Sequence, residues 1–239
     1  MPNLLKQRSK SQDCLECEHR SLRMFCNLDD AVLADYAAIG VETSFARGTT
    51  LFVEDNPSNS VFVVCTGQVK LFCTSKEGKT LILKIAMPGD VLGLGAVLSG
   101  SNYEVTAETL QPTQVKSIRR KEFLAFLAKH GEGSLHAAKA LSEDYRAAFF
   151  DARRLALSGS AAGRLAGVLL DRGKTAATCG KFEMRFTMTL THEELANMVG
   201  SSRETVTRML TRFKKEGLIQ MRGASILILA PELLERLAV

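Results

Sequence analysis

A change of hydrophobic period near residue 120 constrains this chain more than any other feature. From Thr49 to about Arg119 it runs in short β-branched and aromatic stretches: TTLFV, SVFVVC, QVKLFC, TLILKIA, YEVTAETL and QVKSI. Clusters of Gly, Pro, Asn and Ser (DNPSN, TG, SKEG, MPGD, SGSN) divide them at a spacing of roughly ten residues. Repeated short strands of this kind predict an all-β roll or barrel. Beyond them the pattern turns helical. EFLAFLAKH reads as a short helix, Gly131 and Gly133 follow, and a long helix is predicted from Ser134 to about Leu157. Along it Leu135, Ala138, Leu141, Tyr145, Ala148, Ala152 and Leu155 return at steps of three and four, the narrow seam of a two-stranded coiled coil. Such a helix spans roughly 36 Å, a length that suits a homodimer interface, and these positions are expected to line one.

The chain has 239 residues, enough to bury two modest cores. The expected organisation is a cysteine-containing arm over 1–30, a β-roll over 31–133, a dimerisation helix over 134–158 and a C-terminal domain over 159–239. Within it DDAVLADYAAIG reads as a short helix that begins on acids and stops at Gly40. With 46% hydrophobic and 24% charged residues, the composition excludes a disordered or collagen-like chain. No apolar run of signal-peptide length follows MPNLLKQRSK, and none approaches the roughly 20 residues of a membrane span. A cytoplasmic protein without a membrane partner is expected.

The C-terminal segment carries the clearest local chemistry. Thr191 and Glu194 form a capping box in which hydroxyl and carboxylate each satisfy an exposed backbone donor, and so begin a short helix. Gly200 suits the left-handed turn that ends it, and Ser202 can cap the next. In that second helix Val206, Met209, Leu210 and Phe213 fall at i, i+3, i+4 and i+7, a buried stripe. Arg203, Glu204, Thr207, Arg208, Thr211 and Arg212 occupy the other side. After Gly217, LIQMRGASILIL reads as two β segments around Gly223, a wing. Between Ser201 and Arg222 six basic residues face two acidic ones, an excess that favours a polyanionic partner.

Helix, tight turn, helix and wing make a winged helix-turn-helix, whose second helix enters the DNA major groove with its first residues against base edges. An arginine can donate two parallel hydrogen bonds to O6 and N7 of guanine, and a glutamate can accept from N4 of cytosine. A second role for Glu204 is pairing with Arg208 at i, i+4.

LTHEELANMVGSSRETVTRMLTRFKKEGLI resembles the helix-turn-helix of the Crp/Fnr family, the transcription regulators named for the cyclic AMP receptor and the fumarate-nitrate reduction regulator. The likeness extends over most of the chain. FVEDNPSNSVFVVCTGQVKLF and GKTLILKIAMPGDVLG, the long helix and the winged helix follow in the family's order. The resemblance implies an α+β fold, with a jelly-roll-like sensory domain, a long dimerisation helix and a winged helix-turn-helix. It implies a homodimer without enzymatic activity that binds palindromic double-stranded DNA and works with RNA polymerase. SRETVTR is similar to the cyclic AMP receptor branch, so Arg203, Glu204 and Arg208 are expected to read a TGTGA-like half-site. Thr191, Ser202, Thr205 and Arg222 are expected to contact phosphates, which fix register without reading sequence.

The sensory half departs from that branch. Cyclic-nucleotide binders of the family carry an arginine that neutralises the cyclic phosphate, yet no Arg occurs from Gly48 to Ile118. A buried phosphodiester without a cation is expensive to desolvate. Cyclic AMP is therefore not the expected ligand, although a lysine such as Lys84 or Lys116 could take the arginine's place.

Cys14, Cys17 and Cys26 form instead C-x2-C-x8-C, which resembles the N-terminal cluster of the family's oxygen sensors and implies a [4Fe-4S] cofactor. Where those sensors place a fourth cysteine, this chain has Lys116, so Cys65 or Cys73 is the candidate fourth metal ligand, with His19 and nearby acids as further possibilities. Four-coordinate zinc and a metal-free thiol switch use the same cysteines. Cys179 is expected to be uninvolved. Two rivals are weaker. An enzyme lacks any evident nucleophile, base and orienting partner among scattered His19, His130, His136 and His192, and a nucleotide-binding signalling module leaves the pattern of Arg203, Glu204 and Arg208 unexplained.

Overall fold

The computed structural model describes residues 14–17, 20, 25–157, 159–178 and 183–238, without the side chains of 154–157 and 178. A single 3-10 turn, Cys14–Glu16, precedes α1 (Asp30–Ala38). Then follow β1 (Val41–Phe45), β2 (Thr50–Phe52), β3 (Ser60–Thr66), β4 (Val69–Thr74), β5 (Thr80–Ala86), β6 (Val91–Leu92), α2 (Leu94–Ser99), β7 (Thr106–Thr109) and β8 (Thr113–Arg119). The strands form two four-stranded sheets, in the orders β1-β8-β3-β6 and β2-β7-β4-β5. The roll is continued by α3 (Arg120–Lys129) and the long α4 (Gly131–Leu157).

Strand alternation sends side chains from β3 and β8 into two cores. Val61, Val63 and Ile118 point toward the helices and pack with Leu33, Tyr36, Phe123 and Phe126. Val64 and Phe62 turn the other way and meet Phe52, Val69, Leu92 and Tyr103. Phe25, 1% exposed, and Leu28 join the helix-side core, so the residues just before α1 are part of the folded body. Arg20 holds them there: its guanidinium donates to the Leu28 carbonyl at 2.6 Å and the Cys26 carbonyl at 3.3 Å, and pairs with Asp30 at 2.7 Å.

β1 is a strand that the sequence pattern does not announce. It lies at a sheet edge paired only with β8, Val41 is exposed, and so VETSF lacks the apolar density of the inner strands. Helix α2 is short and begins after Gly93, whose φ of 73° lies in the left-handed region open to glycine.

The second unit contains α5 (Ala161–Thr178), β9 (Arg185–Thr187), α6 (His192–Val199), α7 (Arg203–Lys215), β10 (Ile219–Arg222), β11 (Ser225–Ile228) and α8 (Pro231–Ala238). The main boundary between the two units falls within α4, at Ala147 and Ala148. Leu165, Leu169, Leu195, Val206, Phe213, Ile219, Ile226 and Leu234 are fully or almost fully buried. The expected two-stranded wing gains a third strand, in the order β10-β11-β9.

Along α4 the apolar residues divide. Leu135 is 54% exposed, Tyr145 72%, Phe149 59% and Phe150 53%, and Ala148 and Ala152 are exposed as well. Leu141 differs from the expected seam: it packs against the helix-side core of the roll, near Gly95. The outward stripe is therefore Leu135, Ala138, Tyr145, Phe149 and Ala152, with Phe149 in place of Leu141 as its large apolar member. The side chain of Leu155 lies outside the described ones. Among the described residues no helix is long and apolar enough to cross a membrane.

Candidate nucleic-acid interface and thiol site

Helices α6 and α7 form as their capping residues dictate. The Thr191 hydroxyl accepts from the Glu194 N–H at 3.2 Å, and the Thr191 N–H donates to the Glu194 carboxylate at 2.8 Å, the reciprocal capping box. Gly200, at φ 59° and ψ 49°, closes α6 in the left-handed conformation. The Arg164 Nε donates to the Val199 carbonyl at 2.7 Å, which satisfies one of the last open acceptors of α6. Ser202 then caps α7 by accepting the Thr205 N–H at 3.2 Å. Thr191→Ala removes one half of the box and is expected to lower unfolding stability by about 1 kcal/mol, measurable as a shift in urea midpoint at constant m.

The stripe on α7 is buried as the periodicity requires: Val206, Met209, Leu210 and Phe213 face the core, while Arg203, Glu204 and Arg208 are exposed. Glu204 bonds at the helix start. Its carboxyl is held below the usual carboxylate range by a hydrogen bond from its own N–H, then by the Ser202 hydroxyl, with the charge of Arg203 helping and slight burial opposing. The expected Glu204–Arg208 pair is absent among the described residues, where neither Arg203 nor Arg208 has a salt bridge. Arg212, by contrast, is tied to Glu216 at 2.7 Å. Arg222 is exposed at the end of β10, beside the turn at Gly223. His192, not singled out in the sequence, has its Nδ1 2.8 Å from the Thr207 hydroxyl and links α6 to α7.

The cysteines separate by sheet. Cys14 packs on the helix-side core, and the Cys17 carbonyl accepts the Arg20 N–H at 2.9 Å. Cys65 lies at an irregularity of β3 between Val64 and Thr66, with Sγ 3.8 Å from the Val63 carbonyl. Tyr36 belongs to the core on which Cys14 packs; it is 1% exposed, and its hydroxyl has no hydrogen-bond partner among the described residues. Burial pushes its ionisation well above the ordinary tyrosine value, and the negative charge that Cys26, Cys65 and Cys14 carry when ionised adds to that, in this order. Cys73 is on β4, in the other sheet. Thiolates are soft donors of the kind that hold iron-sulfur or zinc groups, but among the described residues no three His, Cys, Asp or Glu converge as a metal site. His19 and Cys179 lie outside the described residues.

Two family models match the chain: a cyclic nucleotide-binding domain over residues 42–130 and a Crp-like helix-turn-helix domain over residues 163–237. A relative from Mycobacterium tuberculosis, described as a CRP-like cAMP-activated global transcriptional regulator, is 30% identical over 194 residues, 81% of this chain and 86% of that protein. The chain belongs to the Crp/Fnr family of transcription regulators. The nitrogen fixation regulation protein FixK of Bradyrhizobium diazoefficiens is 25% identical over 238 residues, 99% of this chain and 98% of that one. The solved structure of FixK2 from Bradyrhizobium japonicum shares the fold, with a TM-score of 0.74 at 23% identity over 84% of this chain and 98% of its own.

In this Crp/Fnr regulator Lys84 and Lys116, the candidate phosphate partners, are both engaged. Lys84 bridges Asp90 at 3.2 Å and Asp144 at 2.7 Å; burial lowers its pKa, but the charges and bonds of the two aspartates outweigh that and leave it raised. Lys116 is on the helix side of β8, donating to the Ala37 carbonyl at 2.7 Å. Arg120, just beyond the arginine-free stretch, folds back to α2, where its Nε donates to the Val97 carbonyl at 2.9 Å.

Proposed function

We propose that this regulator binds as a homodimer to a palindromic operator of TGTGA-like half-sites and that a redox or oxygen signal received at its cysteines controls that binding. The observation that carries the DNA reading is the exposure of Arg203 and Arg208, without salt bridges among the described residues, at the start of a helix whose opposite stripe is buried. Arg203, Glu204 and Arg208 meet base edges; Thr191, Ser202, Thr205 and Arg222 contact phosphates and set the register. The exposed stripe on α4 supports the dimer, which must hold its two recognition helices about 34 Å apart. A change in the seam's geometry then alters operator affinity, and so the recruitment of RNA polymerase.

The residues that would hold a [4Fe-4S] group are Cys14, Cys17, Cys26 and Cys65. Cys65 is favoured over Cys73 because it lies on β3, in the sheet whose Val61 and Val63 share the helix-side core with Cys14, whereas Cys73 is on β4 in the other sheet. Such a group supplies a one-electron, oxygen-labile centre. With Lys84 and Lys116 engaged and no arginine from Gly48 to Ile118, a cyclic nucleotide is not the proposed effector.

The test is anaerobic purification, followed by iron and sulfide analysis and operator binding before and after exposure to air. Expected are about four irons and four sulfides per chain, as a [4Fe-4S] cluster requires, and an affinity that changes as they are lost. Iron-free protein that binds the operator equally well with Cys14, Cys17 and Cys26 replaced by serine would sink the signal reading and leave the DNA reading standing.

A further inference from the structure

We propose that the roll carries a small-molecule site at its β1 edge, fitted to an α-amino acid with a branched or aromatic side chain. The site shares no residue with the cysteines or with the DNA-facing helices. It is a cleft of about 690 Å³ walled by the end of α1, β1, and the parts of β8, β3 and α3 that meet beside it. Ligand pockets have volumes of about 300–1,000 Å³.

The strand register builds the floor. Val41 lies across from Ser117, and Ser117 across from Phe62. Two residues further along the same face, Arg119 lies across from Ser60. One row is therefore apolar with a hydroxyl at its centre, and the next holds a guanidinium and a hydroxyl. Side chains directly opposite each other are about 5 Å apart and successive rows about 7 Å, so a molecule the size of an amino acid touches both rows. The wall above is backbone. Gly40, at φ 81°, passes so close to β8 that a Cβ there would lie 2.5 Å from the Ser117 carbonyl oxygen. A cleft shaped by paired strands and a close backbone crossing is pre-organised, which lowers the cost of binding.

The charges at its rim select the ligand. Arg119 ends β8, Glu122 stands in the first turn of α3, and both are exposed. They are three residues apart, yet they form no ion pair with each other, and neither side chain has a hydrogen bond to any described residue. Other charges on α3 are engaged: Arg120 donates to the Val97 carbonyl at 2.9 Å, and Lys129 pairs with Asp35 at 2.6 Å. The guanidinium fork of Arg119 suits a carboxylate, and the Glu122 carboxylate suits an ammonium. An anion such as phosphate would be repelled by Glu122, and a simple amine by Arg119. A zwitterion satisfies both, and its side chain is left to Val41, Phe45 and Phe62.

The test is isothermal titration calorimetry on the full-length protein without DNA. The probes are L-phenylalanine, L-leucine, 3-phenylpropionate, which lacks the ammonium, and 2-phenylethylamine, which lacks the carboxylate. At least one of the two amino acids is expected to bind with a Kd of about 1 mM or below, and both truncated analogues at least about tenfold more weakly. Arg119→Met is expected to weaken the amino acid about tenfold and leave the amine unchanged. Glu122→Gln is expected to weaken the amino acid similarly and leave 3-phenylpropionate unchanged. Because both side chains are exposed and unpaired among the described residues, urea midpoints should stay at the wild-type value. No saturable binding of either amino acid up to about 10 mM overturns the proposal. So does 3-phenylpropionate or inorganic phosphate binding as tightly as the amino acid, or amino-acid affinity that both substitutions leave unchanged. None of these results touches the DNA or thiol readings.

Discussion

Arg203→Ala is expected to relax base preference at one position of each half-site, at a cost of about 1–3 kcal/mol per half-site. Across two half-sites the loss on the full operator is roughly 2–6 kcal/mol, with little change on unrelated DNA. Arg222→Ala is expected to behave differently. In its proposed role as a phosphate contact, its loss weakens all sequences alike and reduces the salt slope by about 1. Fluorescence anisotropy with single-base operator variants at two salt concentrations separates the two. Identical loss profiles for Arg203→Ala and Arg222→Ala would contradict the division of roles. Urea unfolding of Arg203→Ala should match wild type, since the side chain is exposed and forms no salt bridge among the described residues.

Phe213→Ala is expected to act through the fold. The ring is 1% exposed on the buried face of α7, and the Phe213 carbonyl accepts the Leu218 N–H at 2.9 Å where the chain leaves the helix for the wing. Truncating a buried phenylalanine costs about 3–5 kcal/mol through lost transfer energy and the cavity left behind. Whole domains are stable by only about 5–15 kcal/mol. The variant should therefore show a much lower urea midpoint, and specific and non-specific DNA binding should fall together. A midpoint within about 1 kcal/mol of wild type would show that the site collapses around the gap and that Phe213 is not a keystone of the unit.

The DNA-facing half was legible because its signals are local. A capping box spans four residues, Gly200 marks a backbone conformation, and the stripe of Val206, Met209, Leu210 and Phe213 repeats at the helix period, so inward and outward residues follow from spacing. The long helix was harder to read. Leu135, Leu141 and Tyr145 all fit a step of three or four, yet Leu141 belongs to the roll's own core and Phe149 to the exposed stripe. A helix that packs on its own domain along part of its length and is exposed elsewhere carries two overlapping stripes, and periodicity alone does not assign their members. Edge strand β1 escaped for the opposite reason, having too few buried positions to show alternation.

The sequence by itself determined the kind of protein: the order of roll, long helix and winged helix, the residues that α7 must turn outward, and the absence of an arginine from the stretch where a cyclic phosphate would need one. Only the tertiary structure decided which side of each strand faces which layer. Lys84 and Lys116 read alike in sequence, as do Cys65 and Cys73, since each lies in a short apolar strand. Pairing of β3 with β8 puts Lys116 under the Tyr36 ring and Cys65 in the same sheet as Lys116, while β5 carries Lys84 to Asp90 and Asp144, and β4 takes Cys73 to the other sheet. The physical reason is that a strand's two-residue period separates its faces without naming them; what covers each face is set by elements distant in the chain.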